Sequence, residues 1–481
     1  MQPITEPSTS VTLTGIESRR QKPPIIRPTS KAGHQYLAGA ISNFGVFCFG
    51  TTIGWTNIGH NLVSQKAYNV ELTKDQWEWT NSMLPLGAAC FCMPMGVLMK
   101  MYGCKPVMLF QMFPYVLGWS LLTFANNVYM VYVGRCVLGI CGAALCVAVP
   151  VYNAEISRQH QRGAMISVFY GALVYGAVLN NILSEILSIK YGNVTCTLMA
   201  LLCLSVTLIP ESPSYYFLHG QLEKARKSMR WLRGDEYDIN TELELLKQTL
   251  KRSDMELHQS CWGFMHNKIN QRSVPRATIL LMLYHISGGV IIMGHMGDIL
   301  VQMADSSFNI YVMWLCVSMC LGHLICLLAV DRFGRRSLLL FSSVVMFMTS
   351  LFLCVWFKWM RSESWRWPAL LSLFIFVASF SMGFGPVAWI LYVELIPEHM
   401  RPFGCALAAT ISWLFATLLN IGFLFSVGHF SIFYFMLIVC MLGLLFVVIF
   451  IPETKNITSD EVQQVMKRGV FNDEHSSDDS F

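Results

Sequence analysis

The chain has 481 residues, of which 54% are hydrophobic and 13% charged, and its mean hydropathy is +0.48. Soluble domains carry about 25% charged residues, so this composition excludes a soluble globular protein and indicates an integral membrane protein. The net charge of +5 becomes informative only once the basic residues are assigned to loops. The 16 cysteines lie mostly in apolar segments, where cysteine acts as a small hydrophobic residue, so no disulfide framework is predicted.

The N-terminal segment, residues 1–35, is polar and includes Pro23, Pro24 and Pro28. It predicts a disordered cytoplasmic tail without a cleaved signal peptide. A membrane-spanning helix needs about 20 mostly apolar residues, and twelve later segments meet this need. The predicted spans are Tyr36–Gly59, Trp79–Met99, Pro106–Phe124, Tyr129–Tyr152, Ala164–Leu187, Tyr191–Ile209, Ala277–Leu300, Ile310–Val330, Leu338–Phe357, Pro368–Tyr392, Phe403–Phe425 and Ser431–Ile451.

One long polar segment, residues 210–276, separates the sixth and seventh predicted spans. Its stretches QLEKARKSMRWLRG and TELELLKQTLKR have interleaved charges, which predict amphipathic surface helices. The expected fold is therefore an all-α membrane protein with twelve transmembrane helices. An N-terminal six-helix half (36–209) is followed by this cytoplasmic linker, a C-terminal six-helix half (277–451) and a cytoplasmic tail (452–481).

The distribution of lysine and arginine orients the spans, because basic residues concentrate in cytoplasmic loops. With both termini inside, 27 of the 34 basic residues fall in inner loops, linker and tails, and 6 fall in outer loops. Arg135, within the fourth span, is the remaining one. This asymmetry predicts that both termini are cytoplasmic.

The two halves repeat each other at corresponding places. Glu155 and Arg162 follow the fourth span with a spacing of seven residues, and Glu394 and Arg401 follow the tenth with the same spacing, 239 residues later. YGCK after the second span matches FGRR after the eighth, and PESP after the sixth matches PETK after the twelfth. Parallel repeats of this kind predict transport by rocking of one half against the other. The alternative is that each charge merely marks the membrane boundary.

These residues resemble the sugar porter family of the major facilitator superfamily. The matching motifs are Gly134-Arg135 with Gly139 and Gly142, PVYNAE (150–155) with Arg162-Gly163, DRFGRR (331–336), GPVAW (385–389) with Glu394, and the PESP and PETK endings. The resemblance covers nearly all of 36–455 and implies the major facilitator fold. Within the family, FGTTIGWT (49–56) is similar to insect facilitated trehalose/glucose transporter-like proteins.

Charged side chains at membrane depth cost about 2.5–3.5 kcal/mol each on insertion scales, so each requires a partner. We predict a network of ion pairs that closes the cytoplasmic end, and the resemblance implies an inner gate at the same positions. Its expected members are Arg135, Glu155, Arg162, Asp331, Arg332, Arg335, Glu394 and Arg401.

The first-half part of this network is expected to be weaker. Lys100 stands where the second half has Asp331, and Cys104 stands where it has Arg335. We therefore expect the outward-facing state to be less favoured than in typical relatives.

The stretch LYHISGGVIIMGH (283–295) marks the expected substrate site. The resemblance implies amide side chains there and in the fifth and eleventh spans, which suit the hydroxyl groups of a sugar. This chain has aromatic, histidine and serine side chains instead and retains one stacking tryptophan. The expected substrate-binding residues are Tyr170, Tyr284, His285, Ser287, His295, Trp389 and Ser412. The alternative is that Tyr284, His285 and His295 are packed core residues.

Other sequence patterns limit the classes of function that this chain can have. The sequence shows no metal-ligand cluster, nucleophile triad or phosphate-binding glycine loop, so no enzyme activity, cofactor, metal or nucleic-acid partner is predicted. Asn193 begins an NVT sequon on the predicted outer side and is a glycosylation candidate, although it lies almost at the membrane. Proton-driven relatives carry an aspartate in the first span where this chain has Thr52, which favours downhill transport.

The sequence therefore predicts a plasma-membrane facilitative (uniport) carrier of a sugar or sugar-like polyol, working by alternating access. Two alternatives stay open: a non-transporting relative that acts as a sensor, and a carrier of a less polar, non-sugar solute. The identity of the solute and the oligomeric state stay undetermined.

Overall fold

A computed structural model describes residues 33–58, 70, 72–234, 239–240, 242–244, 268–303, 308–360, 365–425, 430–457 and 459–468. Within these ranges the chain forms helices and no β-strand. Eleven helices are long and apolar enough to cross a membrane, which confirms the predicted all-α membrane fold. They are Gly33–Asn57, Lys74–Tyr102, Cys104–Thr123, Val128–Ile156, Gln159–Ile186, Ile189–Leu208, Ile310–Phe333, Arg335–Trp359, Arg366–Glu394, Arg401–Gly422 and Phe433–Phe450.

The helices of the first half follow the predicted order. They are Gly33–Ser42, Phe44–Gly54, Lys74–Tyr102, Cys104–Phe110, Met112–Thr123, Val128–Ile156, Arg162–Ile186 and Ile189–Leu198, which continues as the 3-10 helix Met199–Leu208. A capping box starts the second span, because the Thr73 hydroxyl accepts from the Gln76 amide while the Gln76 side chain accepts from the Thr73 amide. The first helix begins inside the predicted tail, of which residues 1–32 lie outside the described residues.

The helices of the second half are Lys268–Ile286, Gly289–Gly294, Met296–Met303, Phe308–Phe333, Arg335–Trp359, Arg366–Ser379, Gly385–Glu394, Arg401–Phe425 and Phe430–Phe450. A further helix, Ser459–Arg468, lies within the predicted C-terminal tail, whose residues 469–481 are outside the described part.

The seventh span differs from the prediction of a continuous helix over Ala277–Leu300. It is divided into three helices, with the first break at Ser287-Gly288. Gly288 has a φ of 104°, a backbone conformation that costs glycine little and other residues much more. The seventh span is thereby missing from the eleven spanning helices, whereas twelve spans were predicted.

The tenth span is also irregular. Its helix passes through a π-helical segment, Phe380–Phe384, and resumes at Gly385-Pro386. Proline lacks a backbone N–H group, and single π-turns often occur at functional sites. The irregular backbone of the seventh and tenth spans therefore lies in the second half.

Two linker helices, Pro213–Leu218 and Leu222–Arg233, lie at one end of the bundle, which we call the linker end. The Arg233 guanidinium anchors them to the first half by donating to the Gln35 side chain (2.9 Å) and the Ile156 carbonyl (2.7 Å). The other predicted linker helix, TELELLKQTLKR, lies mostly outside the described residues. The opposite end, where the second span begins at Lys74, is called the far end.

The halves pack against each other at several places, of which two involve long helices in close contact. The second span packs closely on the eleventh, since a Cβ atom added at Gly96 would lie 2.6 Å from the Pro402 carbonyl oxygen. The fifth span packs on the eighth, where His323 Nε2 donates to the Ser167 carbonyl (3.0 Å) and Nδ1 accepts from the Tyr175 hydroxyl (2.8 Å). His323, which the sequence analysis did not select, thus joins the two halves.

Candidate functional site

A pocket lies between the two halves, and both halves contribute to its lining. Its aromatic side is formed by Tyr284, Trp389 and Trp413 of the second half. Toward the far end, where the second and fourth spans begin, the lining includes Asn81 and Arg135 of the first half. The remaining wall is largely apolar, with Ile53, Leu84, Pro85, Leu173, Val290, Ile291 and Met293 among its residues.

Four of the predicted substrate-binding residues line this pocket: Tyr284, His285, His295 and Trp389. The Tyr284 and Trp389 rings meet edge to face, with centroids 5.7 Å apart. The His285 ring lies 4.9 Å from that of Trp413. The Phe169 ring also packs against the Trp389 ring, with the two centroids 4.7 Å apart.

His285 and Asn81 bring polar atoms to this mostly apolar surface. His285 is 3% exposed, and neither ring nitrogen has a hydrogen-bond partner among the described residues. The amide oxygen and nitrogen of Asn81 are likewise buried without a partner in the described part of the chain. Because buried polar groups in proteins are nearly always hydrogen-bonded, these atoms are suited to bind the hydroxyl groups of a solute.

Three other predicted substrate-binding residues do not line the pocket. The Tyr170 hydroxyl is 2.9 Å from that of Ser381, on the tenth span. Ser287 donates to the carbonyl of residue 284 (3.3 Å), and Ser412 donates to the Leu281 carbonyl (3.1 Å). Each of these hydroxyls is therefore bonded to the protein: that of Ser287 to a carbonyl in the preceding helical turn, and those of Tyr170 and Ser412 to other helices.

A cluster of charged side chains occupies the linker end of the second half. Arg335 Nη2 lies 3.1 Å from Asp331 and 3.2 Å from Glu394. The second carboxylate oxygen of Glu394 accepts from the Thr454 hydroxyl (2.6 Å). Asp331 also accepts from the backbone amide of Ala164 (2.9 Å), at the start of the fifth span, so this cluster joins the second half to the first.

The glutamates of the PESP and PETK endings each cap the N-terminus of another helix. Glu453 accepts from the backbone amides of Arg335 and Arg336 at the start of the ninth span. Glu211 accepts in the same way from the amide of Lys105 (2.8 Å), at the start of the third. Carboxylates stabilise helix N-termini by binding the free amides there. The internal repeat predicted from the sequence thus extends to side-chain geometry.

The first-half cluster lacks the corresponding arginine, as the sequence predicts. Glu155 accepts a hydrogen bond from the Ser212 hydroxyl, which matches the contact between Glu394 and Thr454. Cys104 is buried at the position that corresponds to Arg335. Among the described residues no ion pair to Glu155 within 4.0 Å is found, so its hydrogen bond to Ser212 is its main polar contact.

Glu398 was missed by the sequence analysis and links the remaining members of the cluster. Arg401 lies 3.4 Å from Glu398, and Arg162 of the first half lies 4.0 Å from it. The signal was available, because Glu398 precedes Arg401 by three residues, a spacing at which helical side chains meet. This carboxylate adds a second contact between the halves at the linker end.

Two predicted gate residues take no part in these ion pairs. Arg332 is exposed, and no ion pair joins its side chain to a described acidic residue. Arg135 lies near the far end of the fourth span, where it donates to the Thr52 carbonyl (2.6 Å) and the Thr56 hydroxyl (2.9 Å). The fourth span begins at the far end, so Arg135, seven residues into it, is remote from the linker-end cluster.

A carboxylate that the sequence analysis missed stands beside the far end of the pocket. Glu78 of the second span is buried, and its carboxylate lies 3.7 Å from His295 Nε2. Glu78 comes immediately before the predicted start of the span at Trp79 and was not considered as a site residue. The contact joins the two halves at the far end.

The glycosylation candidate Asn193 is not available in this fold. Its side chain is 2% exposed and accepts a hydrogen bond from Trp55 Nε1 (3.2 Å). The Asn193→Gln variant is expected to migrate on a gel like the wild-type protein, before and after glycosidase treatment. It should also unfold at a lower temperature, because one interhelical hydrogen bond, worth about 0.6 kcal/mol in membrane proteins, is disturbed. A glycosidase-sensitive shift of the wild-type band would contradict this assignment.

A family model described as "Sugar (and other) transporter" matches residues 34–466. Glucose transporter type 3 of Drosophila melanogaster is 37% identical over 457 residues, which cover 93% of this chain and 89% of that protein. The chain belongs to the sugar transporter family. The predicted membership is thereby confirmed.

Further matches agree with this family. A facilitated trehalose transporter of Bombyx mori is 27% identical over 443 residues, covering 88% of this chain and 86% of that protein. The proton:xylose symporter XylE, of the major facilitator superfamily, matches with a TM-score of 0.78 at 17% identity, over 90% of this chain and 99% of that one. A partially occluded, inward-open structure of XylE from E. coli gives 0.70 at 18% identity, over 89% and 100% of the two chains. The sugar transporter family member described here therefore has the major facilitator fold.

Proposed function

We propose that this chain is a facilitative uniporter of a sugar or sugar-like polyol in the plasma membrane. The linker end is its cytoplasmic end, as the basic residues of the loops indicate. The observation that carries the proposal is the position of the pocket. It lies between two halves that contact each other at the linker end, through Asp331 and Glu398, and at the far end, through His295.

The pocket lining suits a sugar or polyol. The rings of Tyr284, Trp389 and Trp413 offer flat apolar surfaces that stack on the C–H face of a sugar ring. The polar atoms of His285 and Asn81 supply hydrogen bonds to hydroxyl groups. The similarity to proteins named as glucose and trehalose transporters supports the same class of solute.

Uniport is supported by the surroundings of Arg135. This buried guanidinium lies against the first span, where its partners are the Thr52 carbonyl and the Thr56 hydroxyl. No aspartate or glutamate occurs in the described part of the first span, 33–58. A carboxylate that would take up a proton there is therefore missing, and the solute gradient alone is left to drive transport.

Alternating access is supported by the two sets of contacts between the halves. Opening toward the linker end requires separation of Asp331 from the Ala164 amide and of Arg162 from Glu398. Opening toward the far end requires separation of Glu78 from His295. Each set closes one end of the same pocket, as a carrier with a single site needs.

A second candidate is a carrier of a less polar solute, which the predominantly apolar lining favours. Competition by polyols and by apolar solutes against a labelled sugar separates the two. The sensor alternative is distinguished by ligand binding without flux.

The proposal is tested by uptake of labelled glucose, trehalose, fructose and a polyol into oocytes that express the protein at the cell surface. For a transported solute, the internal concentration should rise saturably to the external value and stop there. An imposed inward proton gradient should leave this final level unchanged, because a uniporter cannot use the gradient. Accumulation above the external concentration that a protonophore abolishes would refute uniport.

A further inference from the structure

The contact between Glu78 and His295 has a geometry that neutral histidine does not satisfy. His295 Nδ1 lies 3.2 Å from the Ile291 carbonyl oxygen, which can only accept, so Nδ1 carries a hydrogen. In neutral imidazole Nε2 then carries a lone pair and no hydrogen, so it can only accept a hydrogen bond. Nε2 faces the Glu78 carboxylate at 3.7 Å, so two acceptors oppose each other unless one further proton is bound.

Both groups are removed from bulk solvent. The side chains of His295 and Glu78 are 8% and 10% exposed. The Glu78 oxygen that faces His295 has no hydrogen-bond partner among the described residues. A carboxylate and an imidazole so placed attract each other strongly only when a proton makes the pair N⁺–H···O⁻. A bound proton would therefore turn this contact between two acceptors into an attractive one.

The position of the pair links proton binding to the shape of the pocket. Glu78 is on the second span, in the first half, whereas His295 is the residue between two pieces of the divided seventh span. His295 and Asn81, one turn after Glu78, both line the pocket. Separation of Glu78 from His295 is thus part of opening the pocket toward the far end.

We propose that Glu78 and His295 form a proton-binding site and that the bound proton holds the outer mouth of the pocket closed. The role of the mouth rests on the proposed function, in which the far end is the outer end. The proton controls the rate at which the mouth opens and is not carried with the solute. Glu78 is a positioning residue, because it acts on the pocket through His295.

Other titratable or charged groups belong to the elements around His295. They are Arg135, Tyr284, His285, Asp298, Tyr311 and Arg366. Asp298 follows His295 by three residues on the next helix, so the Asp298→Asn variant is included in the test.

The first test measures the initial rate of sugar uptake as the external pH is lowered from 7.5 to 5.5. Because the bound proton holds the mouth closed, the wild-type rate should fall as the pH is lowered. The Glu78→Gln and His295→Gln variants should have rates that do not change with pH. The Asp75→Asn variant, which removes an exposed carboxylate one turn earlier on the same helix, should behave like the wild type. A wild-type rate independent of pH, or loss of the response in Asp298→Asn but not in Glu78→Gln, would overturn the proposal.

The second test does not depend on transport. Spin labels placed at the exposed residues Lys74 and Lys358, each in a different half, report the width of the outer mouth. In the purified wild-type protein, the shorter distance should dominate at pH 5.5 and a longer one should appear at pH 7.5, while Glu78→Gln should give one distribution at both pH values. Identical wild-type distributions refute the proton site even if sugar is transported. A pH-dependent distance without any flux retains the site and refutes the carrier.

Discussion

Replacement of His285 by phenylalanine is expected to raise KM for the transported sugar by about 10- to 100-fold. The substitution preserves a ring against Trp413 but removes both ring nitrogens, which line the pocket without a protein partner among the described residues. Each hydrogen bond lost to a substrate hydroxyl costs about 0.5–1.5 kcal/mol, and a factor of ten corresponds to 1.4 kcal/mol. The initial rate of uptake as a function of sugar concentration measures this change.

The fold itself should tolerate this change. A buried polar group without a partner destabilises a protein, so His285→Phe is expected to leave the unfolding temperature in detergent unchanged or slightly higher. The matched control is His323→Phe, because His323 is buried as well but has both ring nitrogens bonded to the fifth span. It should lower the stability by about 1–2 kcal/mol with little change in KM. An unaltered KM in His285→Phe would show that His285 only packs against its neighbours.

Replacement of Glu394 by glutamine is expected to have the largest effect on stability. Glu394 is buried, accepts from Arg335 and Thr454, and compensates the charge of an arginine that is 1% exposed. Removing one partner of a buried ion pair costs about 3–5 kcal/mol, and the remaining contact of Arg335 with Asp331 reduces this to about 2 kcal/mol or more. The unfolding temperature in detergent measures the loss. The linker end should also open more often, which increases labelling of the pocket from the cytoplasmic side.

The internal repeat supplies the control for this experiment. Glu155 occupies the corresponding position in the first half, but its partner there is the Ser212 hydroxyl instead of an arginine. A glutamine side chain still accepts from that hydroxyl, so Glu155→Gln should change the stability by less than about 1 kcal/mol. Equal losses in the two variants would show that the second-half ion pair contributes nothing specific.

Much of the fold followed from composition and periodicity. Apolar segments of sufficient length gave the spans, and the repeated Glu–Arg pairs gave the relation between the halves. The seventh span was expected to be continuous because hydropathy does not report backbone conformation. Two adjacent glycines, Gly288 and Gly289, were the available sign of the break, since glycine weakens a helix interior.

The site was harder to predict because helix rotation and partner choice are tertiary properties. Tyr170 and Ser412 were selected by the positions they share with family motifs, yet their hydroxyls bond other helices. Arg135 was grouped with the gate because it is charged, although a fourth span that begins at the far end already places it there. Glu78 stayed unnoticed because its partner, His295, is more than 200 residues away in the chain.

The duplicated helix caps bear on how the protein is made. Glu211 binds the amide of Lys105, and Glu453 binds those of Arg335 and Arg336, so each cap is completed within its own half. During synthesis the first six spans possess every partner of their cap once the ribosome has passed Ser212. Only contacts such as that between Asp331 and the Ala164 amide wait for the rest of the chain. The first half can accordingly assemble in the membrane before the second emerges, and the pocket forms only when the two are joined.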